Sequence, residues 1–461
     1  MVTASHNPKA DNGFKVYWGN GCQIIPPHDE GIAAAIMDNL EPATQYKYLG
    51  DDWTVTAEAA VATGKLQTGA AVLEALVAAY MTAISSLRFD GAASVAVGAD
   101  AVMATYTAMH GVGRPWVERA VQTFGIPKDS VSVVAAQADP DPEFPTVVFP
   151  NPEEKGALDC AQEWAAQRDC ELIVANDPDA DRLAVAEFQK SKGKWHVFHG
   201  NEIGAMLGYW AIQKYLKAGG TAGEAAVIAS VVSSRMLRAI ARKEGVQYYD
   251  TLTGFKWIGN KAVELAEAGT QVLFGYEEAL GYAYGDVVFD KDGVSAAAVL
   301  LEMAAVLRKN YDRGLLQQLN YLRAQYGDFV SYNFYIICHD GNVTDTCFAD
   351  MRTGGADGGY KLAFAGIKVT SIQDVTMGYD STTSDKKLDM PATPGSHMVM
   401  YEFENGVSFT LRTSGTEPKI KWYTEVAAKA GAPRDTATND LKAFVDAAIQ
   451  EMLQCEKYGL K

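Results

Sequence analysis

Asp177-Pro178-Asp179-Ala180-Asp181-Arg182 sets three carboxylates at alternate positions directly behind the apolar run Leu172-Ile173-Val174-Ala175. Alternate carboxylates on a tight loop can converge on one hard cation. Oxygen ligands suit Mg²⁺, an incomplete protein cage leaves room for a phosphate oxygen, and Arg182 beside it can neutralise that phosphate. The metal would then serve phosphoryl chemistry.

Two other readings use the same residues. A solvated Asp/Pro turn after a buried strand is a common use of both residue types. A haloacid-dehalogenase-like phosphatase, with Asp177 as nucleophile and Asp179 as acid, also puts its acids behind an apolar strand. An EF-hand is excluded by spacing: the loop's sixth position would be Arg182 rather than Gly, and its twelfth Phe188 rather than Glu.

Three further polar loops carry candidate chemistry. In Thr3-Ala4-Ser5-His6-Asn7-Pro8 a serine beside a histidine can be an activated nucleophile, though such a run is more often only a turn. Gly275-Tyr276-Glu277-Glu278-Ala279-Leu280-Gly281 follows the apolar Val272-Leu273-Phe274, where paired acids at a strand end can accept hydrogen bonds from sugar hydroxyls. Acids that favour a helix N-terminus explain that loop equally well. Arg412-Thr413-Ser414-Gly415-Thr416-Glu417-Pro418-Lys419 combines an arginine, hydroxyls, a glycine and a lysine, the materials of a phosphate cradle or of a polar hairpin turn.

The elements that must position these loops follow from periodicity. Phe14–Trp18 reads as a strand, Asp29–Leu40 as a helix, Glu41–Thr68 as a weakly patterned stretch, and Ala70–Leu87 as an Ala/Leu-rich helix. From Val102 strands and helices alternate: Val102–Ala108, Trp116–Phe124, Leu172–Ala175, Leu183–Ala186, a unit beginning at Asn201–Lys217, Ala226–Ala229, Met236–Lys243, Val272–Phe274 and Ser295–Leu307. Such alternation means βαβ units and parallel sheet. Beyond Phe329 the texture changes to strand-like alternation in Tyr332–Ile337, Ile367–Ile372, Met398–Phe403 and Val407–Leu411, closed by a helix over Thr438–Met452.

The 461 residues allow three or four domains, and an apolar fraction of 48% is ordinary for globular protein. A net charge of −17 would repel nucleic acid and anionic membrane, so a phosphorylated small ligand must be held by a local cluster of positive groups. Cys22, Cys160, Cys170, Cys338, Cys347 and Cys455 show no paired short spacing, and neither a signal-like nor a membrane-spanning segment is apparent. A cytoplasmic protein with reduced thiols is expected.

Taken together and in this order, the four loops resemble one family, the α-D-phosphohexomutases, which include phosphoglucomutase and phosphomannomutase. The resemblance covers the whole chain. Asp139–Pro145 with Asn151-Pro152-Glu153-Glu154, Thr253-Gly254-Phe255-Lys256-Trp257 and Asp290-Lys291-Asp292-Gly293-Val294 are similar to the branch holding phosphopentomutase / phosphoglucomutase-2 and glucose 1,6-bisphosphate synthase. It implies an α/β molecule: three related α/β domains with mixed sheets plus a C-terminal α+β domain around a central cleft, each supplying one loop. The expected domains are 1–92, 93–198, 199–326 and 327–461.

The resemblance also implies roles. Ser5 matches the phosphoserine, and Asp177, Asp179 and Asp181, with an oxygen on Ser5, match the Mg²⁺ ligands. His6 and Lys15 match proton-transfer groups, Arg182 the phosphoserine's cationic neighbour, Lys256 a distal ligand contact, and Glu277 with Glu278 the sugar acceptors. Arg412, Ser414, Gly415 and Thr416 match the substrate-phosphate site. A sugar bisphosphate would be activator and intermediate, phosphosugar the substrate, and a monomer without nucleic-acid or membrane partners the expected state.

Two departures stand out. Only Met1 and Val2 precede Thr3, so the first domain is expected to be N-terminally truncated, and Ala279 stands where hexose-specific relatives usually have serine. The expected activity is a phosphosugar mutase interconverting pentose 1- and 5-phosphates, and glucose 1- and 6-phosphates to some extent. Glucose 1,6-bisphosphate synthase, or an inactive relative that still binds phosphosugar, is the alternative.

Overall fold

The computed structural model describes residues 1–41, 69–89, 102–393, 395–414, 418–429 and 431–460. The stretch read as weakly patterned, Glu41–Thr68, lies outside the described residues except for Glu41. The chain forms two compact units, one of Met1–Ile228 with Gly254–Gln318 and one of Ala229–Thr253 with Leu319–Lys461.

The first unit is organised by a five-stranded sheet in the order Val131–Val133, Ala104–Thr107, Leu172–Ala175, Ala184–Gln189, Lys194–Val197. The first three strands run parallel, Ala184–Gln189 turns back antiparallel to Leu172–Ala175, and Lys194–Val197 pairs antiparallel with Ala184–Gln189 in turn. Leu172–Ala175 is central and buried at every position, which is why it reads as an unbroken apolar run rather than an alternating one. The helices Arg114–Thr123 and Asp159–Ala166 follow the parallel strands, as crossover connections require. A mixed sheet, not a purely parallel one, therefore carries the acidic loop between Leu172–Ala175 and Ala184–Gln189.

That loop is gripped from two sides by glycines. A Cβ on Gly111 would lie 2.3 Å from the Pro178 backbone, and one on Gly293 would lie 2.3 Å from the Arg182 carbonyl. Val112 N–H also donates to Pro178 O at 2.9 Å. Gly293 opens the helix Gly293–Tyr311, whose first fifteen residues are all buried and whose start is capped by Asp292 accepting from Val294 and Ser295 N–H. A second hairpin, Gln271–Glu277 with Gly281–Tyr284, braces the loop through the Arg182–Gly281 bridge and Leu183 N–H to Leu280 O at 3.1 Å.

Near the start of the chain the predicted helix is present as His28–Asp38, and the Ala/Leu-rich one as Gly69–Ser85. The predicted strand Phe14–Trp18 is not a strand. The segment makes only isolated bridges, Phe14 to Val2 and Tyr17 to Gln23, and Phe14 and Trp18 remain exposed. Among the described residues no continuous partner strand runs alongside it, so its apolar alternation has no ladder to join there.

The second unit contains an eight-stranded sheet along the path Phe329–Ser331, Lys419–Ala427, Ser408–Thr413, Met398–Phe403, Ile367–Asp374, Ala363–Phe364; Phe334–Ile337 and Tyr379–Asp380 pair off this path. All its pairings are antiparallel. Tyr401, Phe403, Phe409 and Trp422 of the sheet share one core cluster with Phe348 of the helix Gly341–Thr353 and Leu441 and Val445 of the helix Arg434–Met452. This is the α+β texture expected beyond Phe329, with strands alternating buried and half-buried positions.

The glycine grip makes a prediction. Gly111→Ala should cost about 1–3 kcal/mol, as overpacking against immovable backbone does, and lower the melting temperature; an unchanged melting temperature would contradict the close approach.

Candidate active site

The acidic loop folds back on itself so that its three carboxylates share one space. Ala180 takes a left-handed backbone (φ 60°), its N–H donates to Asp177 O at 2.9 Å, and Asp177 Oδ1 accepts the Arg182 N–H at 3.0 Å. Asn176, itself held by the Tyr106 hydroxyl at 2.9 Å, donates to Arg182 O at 2.5 Å. Ligand oxygens of Asp177, Asp179 and Asp181 then lie within 4.8 Å of one another. They form the one such metal-ligand group among the described residues.

The serine loop meets this triad directly. Ser5 sits at φ 55°, a strained position for a residue with a side chain, and its N–H is held by Thr3 Oγ1 at 2.9 Å. The strain aims Oγ at Asp177 Oδ2, to which it donates at 3.2 Å, with His6 Nδ1 also 3.2 Å away. Thr3 Oγ1 donates to Asp179 Oδ2 at 2.9 Å, and Gly13 lets the chain double back, since a Cβ there would lie 2.0 Å from Thr3 O. The mutual geometry of serine and histidine, open from sequence, is therefore a hydrogen bond.

Cations ring the carboxylates. Lys15 Nζ lies 2.9 Å from Asp181 and 3.4 Å from Asp179, Lys291 Nζ lies 3.1 Å from Asp181, and Arg182 Nε lies 3.8 Å from Asp177. Burial would raise the Asp181 carboxyl, but Lys291 and Lys15 hold it below the usual range. Asp177 goes the other way: burial, then the repulsion of Asp181 and Asp179, pushes it well above the usual range. Burial and then Arg182 lower His6 to about 4, so its imidazole is neutral near pH 7.

The residues fit a divalent cation. Asp179 Oδ1 and Asp181 Oδ1 are buried acceptors with no hydrogen-bond partner, next to a third carboxylate that its surroundings disfavour as an anion. An all-oxygen donor set with unfilled acceptors suits Mg²⁺ better than a soft metal. The haloacid-dehalogenase arrangement is not favoured, because Asp177 is fully buried with both oxygens already engaged, at Arg182 N–H and Ser5 Oγ.

Glu277 and Glu278 stand at a hairpin turn, so the helix N-terminus reading fails. Glu277 Oε1 accepts the Gly254 N–H, where Gly254 (φ 103°) opens the helix carrying Lys256. Lys256 Nζ lies 5.4 Å from the Trp257 ring centre. Arg412 and Ser414 belong to the second unit: Arg412 Nη1 donates to Thr253 Oγ1 at 2.5 Å, its buried Nε has no partner, and Ser414 N–H closes the turn on Lys419 O at 2.8 Å. Gly415 and Thr416 lie outside the described residues.

Comparison with known proteins agrees with this architecture. Models of the phosphoglucomutase/phosphomannomutase alpha/beta/alpha domains I, II and III match residues 1–43, 78–190 and 199–321. The chain belongs to the phosphoglucomutase/phosphomannomutase family. Human phosphopentomutase is 41% identical over 467 residues, covering 100% of this chain and 73% of the relative. Human glucose 1,6-bisphosphate synthase is 38% identical over 466 residues, covering 100% and 72%. These place it in the phosphopentomutase branch of the family. A family structure from Burkholderia thailandensis superposes with a TM-score of 0.59 at 19% identity, over 98% of this chain and 75% of that one.

Two residues at the site escaped the sequence reading. Lys291 was seen only as part of a branch motif, and Thr3 only as a loop residue. A lysine between two aspartates just ahead of an apolar helix was the available signal for the first; nothing in sequence pointed Thr3 at Asp179.

The depressed His6 gives a pH prediction. Its contribution to stability is present above the unfolded value of 6.5 and is lost as pH falls towards about 4, where the unfolded chain binds a proton that the folded chain resists. His6→Gln should therefore lose less melting temperature than wild type between pH 7 and pH 4.5. Parallel losses would show that His6 is not held neutral.

Proposed function

We propose that the chain is an isomerase of the intramolecular phosphotransferase type, a Mg²⁺-dependent phosphopentomutase that also takes glucose phosphates. The observation that carries this reading is Ser5 Oγ held against Asp177 beside two buried carboxylate oxygens without partners. A nucleophile built into a cation site needs little beyond a phosphate to become a phosphoryl store. The names of the 38–41% identical relatives support the pentose assignment and leave glucose 1,6-bisphosphate synthase as the alternative.

Asp177, Asp179, Asp181 and an oxygen on Ser5 would hold the magnesium, which when bound draws charge from the transferring phosphoryl group. Phospho-Ser5 gives its phosphoryl group to the free hydroxyl of a sugar monophosphate: the Ser5 O–P bond breaks, a sugar O–P bond forms, and the hydroxyl proton leaves. Neutral His6, at hydrogen-bond distance from Ser5 Oγ, and Lys15 are the groups placed to move that proton. Arg182 offsets the charge on Ser5. The bisphosphate turns over and returns its other phosphate to Ser5.

Lys256, Glu277 and Glu278 are the groups we assign to the sugar, and Arg412, Ser414, Gly415 and Thr416 to the phosphate that is not reacting. The orphaned Arg412 Nε suits an anion acceptor. All six cysteines are free thiols, which goes with a cytoplasmic setting.

The direct test is conversion of ribose 1-phosphate to ribose 5-phosphate by the purified chain with Mg²⁺ and a sugar bisphosphate primer. Turnover is expected; ligand-dependent stabilisation without product would leave only a binder. Asp179→Ala should reduce turnover by at least about a hundredfold, since even outer partners of a metal site are worth 10–100-fold. Undiminished magnesium dependence in that variant would remove the triad from the mechanism.

Ala279, half-buried in the hairpin turn, offers no hydroxyl to a hexose. Ala279→Ser should raise kcat/KM for glucose 1-phosphate relative to ribose 1-phosphate by roughly two- to tenfold, the worth of one hydrogen bond. An unmoved ratio would mean that this turn does not discriminate.

A further inference from the structure

In the second unit, the residue facing the start of the Arg412 loop across the sheet is His397. Thr413 N–H donates to His397 O at 2.9 Å, and His397 N–H donates to Thr413 Oγ1 at 3.1 Å. One residue further on, Met398 and Arg412 are cross-strand partners. His397 thus sits at the point where the backbone leaves the sheet to form the loop.

Its ring is fixed on three sides. It stacks on Phe348 at 4.4 Å and 10°, Nε2 lies 2.8 Å from Asp345 Oδ1, and Nδ1 lies 3.2 Å from Arg352 Nη1. A guanidinium can only donate, so Nδ1 must accept and the ring proton must sit on Nε2, facing Asp345. Arg352 is itself immobilised: Nε and Nη2 donate to the two oxygens of Asp374 at 2.6 and 3.2 Å, and fully buried Asp374 also accepts from the Tyr360 hydroxyl at 3.0 Å.

The series Asp374, Arg352, His397, Asp345 therefore ties the helix Gly341–Thr353 to the strand end that holds Thr413. A recess of about 480 Å³ opens beside it, lined among others by Thr344, Asp345, Ser396, His397, Thr413 and Ser414. Nothing in the chemistry assigned above uses Asp345, Arg352, Asp374 or His397. Such an arrangement is costly to assemble for a turn that only has to connect two strands, and it fixes the backbone immediately before Ser414.

We propose that His397 is a positioning residue for anion capture: it holds the Thr413 backbone so that Arg412 and Ser414 face the ligand phosphate. The inference rests on the reading of Arg412–Lys419 as the phosphate cradle. A phosphate site relies on fixed donors, so loosening it weakens binding of the ligand more than it slows the reaction.

The test is steady-state kinetics of the full chain with ribose 1-phosphate. His397→Phe keeps the stack on Phe348 and removes both nitrogens. It should raise KM about tenfold, the worth of a charge-assisted hydrogen bond, with kcat within about threefold. His397→Asn, which keeps an acceptor towards Arg352, should recover part of the loss. Should His397→Phe not fold, Asp345→Ala changes an exposed partner and should raise KM in the same direction, by a smaller factor. A fall in kcat at constant KM, no recovery by Asn, or wild-type KM in both His397→Phe and Asp345→Ala would overturn the proposal. Arg412→Ala separates the two layers: a raised KM there with His397→Phe unchanged leaves the cradle standing and removes His397, whereas an unchanged KM in Arg412→Ala removes both.

Discussion

Mutual repulsion among Asp177, Asp179 and Asp181 is the constraint on which the first unit depends. With oxygens within 4.8 Å of one another, each ionised pair opposes folding by about 3–4 kcal/mol at an effective dielectric of 20. Lys15 and Lys291 relieve Asp179 and Asp181. Asp177 has, among the described residues, the Arg182 guanidinium at 3.8 Å, the Arg182 N–H and a serine hydroxyl. A dication and a phosphate on Ser5 would enter together with nearly cancelling charge, so the proposed metal and phosphoserine would each relieve the other.

Holding such a loop requires more than its own hydrogen bonds. Gly111 and Gly293 press backbone against both of its flanks, and the Gln271–Tyr284 hairpin pins its exit. The helix behind it is buried over four turns, so the loop rests on an element that cannot yield. The same rigidity explains how a chain of net charge −17 can handle an anion: the few cations that matter are fixed at the carboxylates, where field and distance count, while the surface stays acidic.

Much of this was legible in sequence, for identifiable reasons. A run of acids behind Leu172–Ala175 names both a strand and its ligand loop, because local spacing determines both. The Ser5 and Arg412–Lys419 loops stood out as candidate motifs, since each is contiguous. Lys291 was not, because it reaches Asp181 only when a helix start 110 positions later packs against the loop. Phe14–Trp18 was misread because alternation shows what a strand could bury, not whether a partner exists. Of Tyr332–Ile337, read as strand-like throughout, only Phe334–Ile337 is a strand: Tyr332 and Asn333 turn their hydrogen bonds to Thr424 and form the break from Phe329–Ser331, and both strands pair with Lys419–Ala427. Local periodicity does not report such a break in register.

The central claim is that the carboxylate triad and Ser5 form one charge-balanced site. Calorimetric titration of Mg²⁺ into the chain, prepared with Ser5 phosphorylated and with Ser5 free, tests it most directly. The account predicts a single bound ion in each form and at least about tenfold tighter binding to the phosphorylated one, as an added dianion at ligand distance requires. Equal affinity in the two forms, or no saturable binding in either, would contradict it.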